Sequence, residues 1–205
     1  KIALCYPNTH SIGMANLGLH TMYELFNSIP EVSCERVFLP DSDELKVYER
    51  SGSPLLSLET QTPVRDFDVV AFSISFETDY LNMARMLQLS GIPVWSGERN
   101  HFHPLIVMGG AASFLNPEPI ADFTDIIAVG EGEILAYQLV DSIFEHETKD
   151  DILLALARIG RGFYIPSFYD VVYNDDGTVF EYRPKHIGVP RRVGRALASV
   201  NPKEG

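Results

Sequence analysis

Along the first 146 residues, short apolar runs that stop at Pro or Gly alternate with longer stretches whose apolar groups recur at helical spacing. Ile2–Tyr6 is an apolar run closed by Pro7, the pattern of a strand buried on both faces. Met14, Leu17, Leu19, Met22, Leu25 and Phe26 predict a helix over 14–27. A second strand over 34–39 stops at Pro40, and Asp41 is placed to cap a helix over 42–50. Strands follow over 68–73, 105–108 and 125–129, separated by a helix over 78–90 that ends at Gly91. A helix over 131–145 carries Glu131 and Glu133 in its first turn, where the dipole favours acids. Past residue 146 the pattern changes. One helix over 150–159 precedes two strands, 168–173 and 178–182, around the turn Asn174-Asp175-Asp176-Gly177.

Strands separated by helices imply right-handed parallel crossovers. The expected fold is α/β: doubly wound, Rossmann-like, a parallel five-stranded sheet of flavodoxin-like order 2-1-3-4-5, with a C-terminal β-hairpin extension outside its centre. The expected division is a main domain over 1–146, a helix-plus-hairpin extension over 147–183, and a linker over 184–205. Ligands on such sheets bind beyond the carboxyl ends of the strands. That rule selects the segments 7–18, 73–78, 109–116 and 130–133.

Composition and charge narrow the partners. Hydrophobic residues are 45% and charged residues 21% of the 205, which excludes global disorder. No apolar run approaches the roughly 20 residues that span a bilayer, and no signal peptide is visible, so no membrane partner and a cytoplasmic location are expected. The first residue is Lys1, not Met, which suggests a trimmed chain. The net charge of −12 is uneven: residues 1–150 hold 22 acids and 8 bases, residues 151–205 hold 6 acids and 8 bases. The acidic body repels nucleic acid. The basic stretch Arg183, Lys185, Arg191, Arg192, Arg195 reads as a solvated linker rather than a docking or phosphate-contacting segment. Cys5 and Cys34 form no zinc or disulfide pattern and cannot supply the thiolates of an iron–sulfur cluster.

Chemistry concentrates in the strand-end loops. The first, from Tyr6 to Gly18, holds small polar groups, His10, Gly13 and Gly18; Gly18 admits either a ligand or a packed neighbour close to the helix backbone. Ser73 and Ser75 can meet a ligand or cap the next helix, as can Thr78. Gly109-Gly110-Ala111-Ala112-Ser113 leaves room for a flat ligand; a turn with positive φ explains one of its glycines. The dinucleotide fingerprint GxGxxG, a P-loop and a GxSxG elbow are absent, and Asn8 and Ser73 stand where a receiver domain needs acids. Thr9 and Ser11 leave a flavodoxin-like FMN site open.

Asn8-Thr9-His10-Ser11-Ile12-Gly13 resembles the D-x-H-x-x-G motif of cobalamin-binding domains, with Asn in place of Asp. Ser73-Ile74-Ser75 and Gly109-Gly110 follow in the order found there. Tyr6-Pro7, Asn16-Leu17-Gly18, Glu35-Arg36-Val37-Phe38, Asp66-Phe67-Asp68, Asn116-Pro117-Glu118-Pro119 and Gly130-Glu131-Gly132-Glu133 look like the N-terminal region of B12-binding-type radical SAM proteins, over about residues 1–146. The resemblance implies a radical SAM enzyme whose barrel, with its CxxxCxxC motif, [4Fe-4S] cluster and S-adenosylmethionine (SAM), lies outside this chain and is its partner in cis. This chain, with no such motif, then looks like the non-catalytic N-terminal fragment. The resemblance also implies a cobalamin tail in a cleft lined by Gly13, Gly18, Ser73, Ser75, Gly109 and Gly110, with His10 below cobalt and Asn8 orienting it. Asn lacks the carboxylate that strengthens an imidazole ligand, so a degenerate scaffold that docks the barrel and binds no cofactor is the alternative.

Overall fold

A computed structural model describes residues 1–197. In chain order the elements are β1 (Ile2–Tyr6), α1 (His10–Gly13), α2 (Leu17–Asn27), β2 (Cys34–Phe38), α3 (Ser42–Ser51), β3 (Val69–Ser73), α4 (Tyr80–Leu89), β4 (Leu105–Gly109), α5 (Ala112–Leu115), β5 (Ile126–Ala128), α6 (Gly132–Glu145), α7 (Lys149–Arg158), β6 (Phe163–Tyr164), β7 (Tyr169–Tyr173) and β8 (Val179–Pro184). The main sheet runs β2-β1-β3-β4-β5-β6, and β7 and β8 form a separate antiparallel hairpin. The first five strands are parallel in the predicted order. A sixth strand corrects the five-strand expectation: β6 pairs antiparallel with β5 through Phe163 and Tyr164. Two residues closed by Pro166 are too short to show a period of two.

Alternation along each strand builds two cores, one on each face of the sheet. Ile2, Leu4, Val69, Leu105, Val107 and Ile126 face α2, α6 and α7. Ala3, Cys5, Val70, Phe72, Ile106, Met108 and Ile127 face α4 and the segment around Leu55 and Val64. Asp41 forms the expected cap: it accepts from Asp43 and Glu44 backbone N–H, and the Glu44 side chain returns to the Asp41 N–H. The helix expected from residue 14 begins at Leu17, because Asn16 caps it by accepting from Leu19 N–H at 2.8 Å. Neither serine nor Thr78 caps α4, which is entered through a 3-10 turn at Glu77–Asp79.

The basic segment expected as a solvated linker is docked as far as Ala196. The antiparallel β5–β6 pair stays joined as far as the Val129 N–H to Gly162 C=O bond, then opens like a fork that the tail enters. Gly162 N–H donates to Gly194 C=O at 2.7 Å, Ala196 N–H to Val129 C=O at 3.0 Å, and Glu131 N–H to Ala196 C=O at 3.0 Å. Val189 and Ala196 are buried, Tyr169 Oη donates to Pro190 C=O, and the Arg195 guanidinium lies over the Phe114 ring. Residues 198–205 of the expected linker lie outside the described residues. Glycines admit the tail: at Gly162, with φ +82°, a Cβ would come within 2.4 Å of Leu135 and 3.1 Å of the Ala196 Cβ. Gly162→Val should therefore cost about 2–4 kcal/mol through left-handed strain and overpacking. It should also speed tryptic cleavage at the exposed Arg191 and Arg192, read by mass spectrometry; unchanged cleavage would mean that the tail holds without this contact.

Candidate functional site: a groove over the strand ends

The strand order reverses between β1 and β3, and the loops after both strands meet there. A polar cluster fills the junction. Asn8 Oδ1 accepts from Thr9 N–H at 2.9 Å and its Nδ2 donates to Asp79 at 3.3 Å. Asn82 Nδ2 donates to Pro7 C=O, and Asn16 Nδ2 reaches Tyr6 Oη and Ser75 Oγ, each at 3.4 Å. Burial pushes the Asp79 carboxyl above the usual carboxylate range, against the pull of hydrogen bonds from Asn8 and Asn82. Asp79 carries no signal in the sequence, because it stands at the end of a 3-10 turn with no motif around it.

Beside this cluster, a groove of about 360 Å³ runs between α2 and α6 over the carboxyl halves of β1, β3, β4 and β5. Its floor has small residues towards the strand ends: Ala71 and Ser73 on β3, Gly109 on β4, Ala128 on β5. Large side chains at the same strand positions would fill this space, as Val69, Leu105 and Ile126 do nearer the amino ends. The walls are Leu17, Gly18, Thr21, Met22 and Phe26 from α2 and Gly132, Glu133, Leu135, Ala136 and Leu139 from α6. The helices close on each other at Gly132, where a Cβ would lie 2.5 Å from Met22 Sδ.

Gly18, Ser73, Gly109 and Gly110 line this groove; Asn8, His10, Gly13 and Ser75 do not. His10 is exposed on α1 with its ring edge-on to Phe38, 5.0 Å between centroids. Asn8 is bonded to Thr9 and Asp79, not to His10. A Cβ on Gly13 would overlap the Phe38 ring, so packing of α1 on β2 explains that glycine. Gly110 has φ +101° and is needed for the turn, whereas a Cβ on Gly109 would meet only Ala128 at 3.8 Å. Of the α6 wall, Gly132 and Glu133 lie in the selected segment 130–133, whereas Leu135, Ala136 and Leu139 carried no sequence signal beyond helical spacing.

Both cysteines are buried; burial raises the Cys5 thiol well above its usual value and pushes Cys34 up to about 12. Among the described residues no group of three or more His, Cys, Asp or Glu is placed to hold a metal, and no helix is long and apolar enough to cross a membrane.

A family profile described as "Radical SAM proteins, N-terminal" matches residues 18–166, most of the chain, covering α6, α2 from Gly18 onward, and three of the four floor strands, β3, β4 and β5, but not β1. The chain belongs to the radical SAM N-terminal family. The match begins after the loop that carries Asn8, His10 and Gly13, so it does not bear on them. The chain is also similar to an uncharacterized protein of Methanocaldococcus jannaschii, 24% identical over 133 residues, 65% of this chain. It spans only 24% of that relative's length. No solved structure matches it.

Three features of the groove suit a ring-bearing ligand. Its volume lies in the roughly 300–1,000 Å³ range of ligand pockets. Its small floor residues admit a flat ring against the sheet, and its mouth opens at the strand ends, where Ser73 offers a hydroxyl.

Proposed function

We propose that this radical SAM N-terminal domain holds a corrinoid, with the nucleotide tail in the groove between α2 and α6 and the corrin across the strand ends. The supporting observation is the groove itself, floored by Ala71, Ser73, Gly109 and Ala128. Gly18, Ser73, Gly109 and Gly110 would line the tail. The cobalamin, when bound, supplies cobalt-centred methyl or radical chemistry; this chain's residues bind it and exclude water. In the full-length protein the [4Fe-4S] cluster and SAM belong to a following radical SAM domain in cis, and this chain contributes no catalytic residue. His10 stays a candidate cobalt ligand from the sequence motif, with Asn8, Gly13 and Ser75 shaping the neighbouring loops.

A leucine at Gly109 would fill the floor without demanding a strained backbone. Hydroxocobalamin added to the protein, followed by desalting and a visible spectrum, is expected to show retained corrinoid in the wild type and at least tenfold less in Gly109→Leu. His10→Ala tests the ligand role directly: the cobalt spectrum is expected to change only if the ring leaves its contact with Phe38, outside the groove, to bind cobalt. A spectral shift would assign His10 to cobalt.

A second reading is favoured by the surface around the groove mouth. Ile12 on α1, Leu17 at the start of α2, Leu115 at the end of α5, Met14 and Phe76 in loops and Leu197 in the tail are exposed at this one end, Leu17 at 79% and Leu115 at 71%. An apolar rim of this kind suits a domain interface. In that reading the domain is a scaffold that docks the downstream barrel and binds no corrinoid; a wild-type protein that retains none, alone and at full length, decides for it.

A further inference from the structure

We propose that the inner half of the groove selects its corrinoid by the lower base, accepting a benzimidazole- or phenol-type ring and rejecting a purine. The inference rests on the corrinoid reading above and concerns which corrinoid the groove takes.

The polar side chains of the groove stand at its rim. Ser73 ends β3, Glu133 opens α6, and Thr21 lies on the exposed edge of α2 with its hydroxyl donated to Leu17 C=O at 3.1 Å. Farther from the strand ends the lining is Leu4, Phe26, Val107, Leu135 and Leu139, without a polar side chain. These positions lie earlier on their strands, or later on the helices that run back, than the rim residues do. The carbonyls of the floor loop are also taken. Gly109 C=O accepts from Ile74 N–H at 2.9 Å, and Gly110 C=O accepts from Ser113 N–H at 3.1 Å and Ser113 Oγ at 2.7 Å.

A ring entering this half leaves water without gaining hydrogen-bond partners. Dimethylbenzimidazole presents methyl groups on its leading edge and suffers little. Adenine presents an exocyclic amine and ring nitrogens, each of which would be buried unsatisfied. The difference should appear as at least a tenfold weaker affinity for the adenine form, about 1.4 kcal/mol.

Equilibrium dialysis of the 205-residue chain against three probes tests this: hydroxocobalamin, the corresponding corrinoid with an adenine lower base, and cobinamide, which lacks the base. The expected order is hydroxocobalamin tightest, with the adenine form and cobinamide each at least tenfold weaker. Equal affinity for the benzimidazole and adenine forms would overturn the selectivity while leaving the corrinoid reading standing. Cobinamide bound as tightly as hydroxocobalamin would show that the base does not enter the groove, and would overturn it too. Retention of none of the three would remove the corrinoid reading and the inference together.

Discussion

Gly110→Ala is expected to destabilise the domain by about 3 kcal/mol or more, while Gly109→Ala one residue earlier should stay within about 1 kcal/mol of wild type. The two glycines look alike in the sequence and differ in what surrounds them. The loop after β4 crosses the chain leaving β3: Ile74 N–H donates to Gly109 C=O at 2.9 Å, and Ala112 N–H donates to Ile74 C=O at 3.2 Å. Gly110 sits between these two bonds with φ +101°, and a Cβ there would lie 2.4 Å from the Ile74 carbonyl oxygen and 2.9 Å from its nitrogen. Both are backbone atoms held by these two hydrogen bonds just past the end of β3, so neither can turn aside as a side chain would. Left-handed strain and backbone overlap therefore act together. At Gly109 the added methyl meets Ala128 Cβ at 3.8 Å, an ordinary contact. Urea unfolding of both variants measures the contrast; equal midpoints would show that the crossing yields easily. A bulky residue at Gly110 would thus probe folding rather than ligand binding, which is why the binding test uses Gly109.

Glu35→Ala is expected to cost about 2–4 kcal/mol and to flatten the acid limb of the stability profile. Glu35 is a buried carboxylate on β2 with no Lys or Arg paired to it among the described ion pairs. It accepts from Ser57 Oγ at 2.6 Å, Thr60 N–H at 3.2 Å and Thr60 Oγ1 at 2.7 Å, and Ser57 Oγ in turn accepts from Thr62 N–H at 3.0 Å. The residue therefore ties the loop 57–62 to the sheet, and removing it leaves buried donors unsatisfied. Burial raises its pKa, but the hydrogen bonds from Ser57 and Thr60, with a smaller pull from Lys1, outweigh burial and hold the carboxyl below its usual value. The unfolded chain then takes up the proton first as pH falls. The stabilisation is complete above the unfolded value of about 4.3 and is lost as pH drops through the lower folded value. Urea midpoints at neutral and acid pH should fall less steeply in Glu35→Ala than in the wild type. Parallel slopes would sink the assignment.

Much of the fold could be read from local pattern. Ile2–Tyr6, the strand ending at Ser73 and the strand ending at Gly109 are apolar runs, because a parallel strand covered on both faces has no solvent side to mark. Asp41 announced its helix through a capping box that involves only residues 41–44. The hairpin followed from Asp176-Gly177, with Gly177 at φ +83°. Each of these is a contact between near neighbours. β6 and the docked tail escaped because their bonds join residues far apart in the chain, Phe163 to Ala128 and Ala196 to Val129, and neither segment is long enough to carry a period.

The sequence by itself determined the parallel sheet, the reversal of strand order between β1 and β3, and the loops gathered at the strand carboxyl ends, because hydrophobic period and turn chemistry are local properties. It also marked Gly18, Ser73, Gly109 and Gly110 by position in those loops. Only the tertiary structure decided that these four line one groove with α6 while Asn8, His10, Gly13 and Ser75 stand outside its lining. Only it separated Gly109, with open space above the floor, from Gly110, pressed on Ile74. A cavity is the space that distant side chains leave unfilled, and no stretch of sequence states how far apart two helices will stand on a sheet.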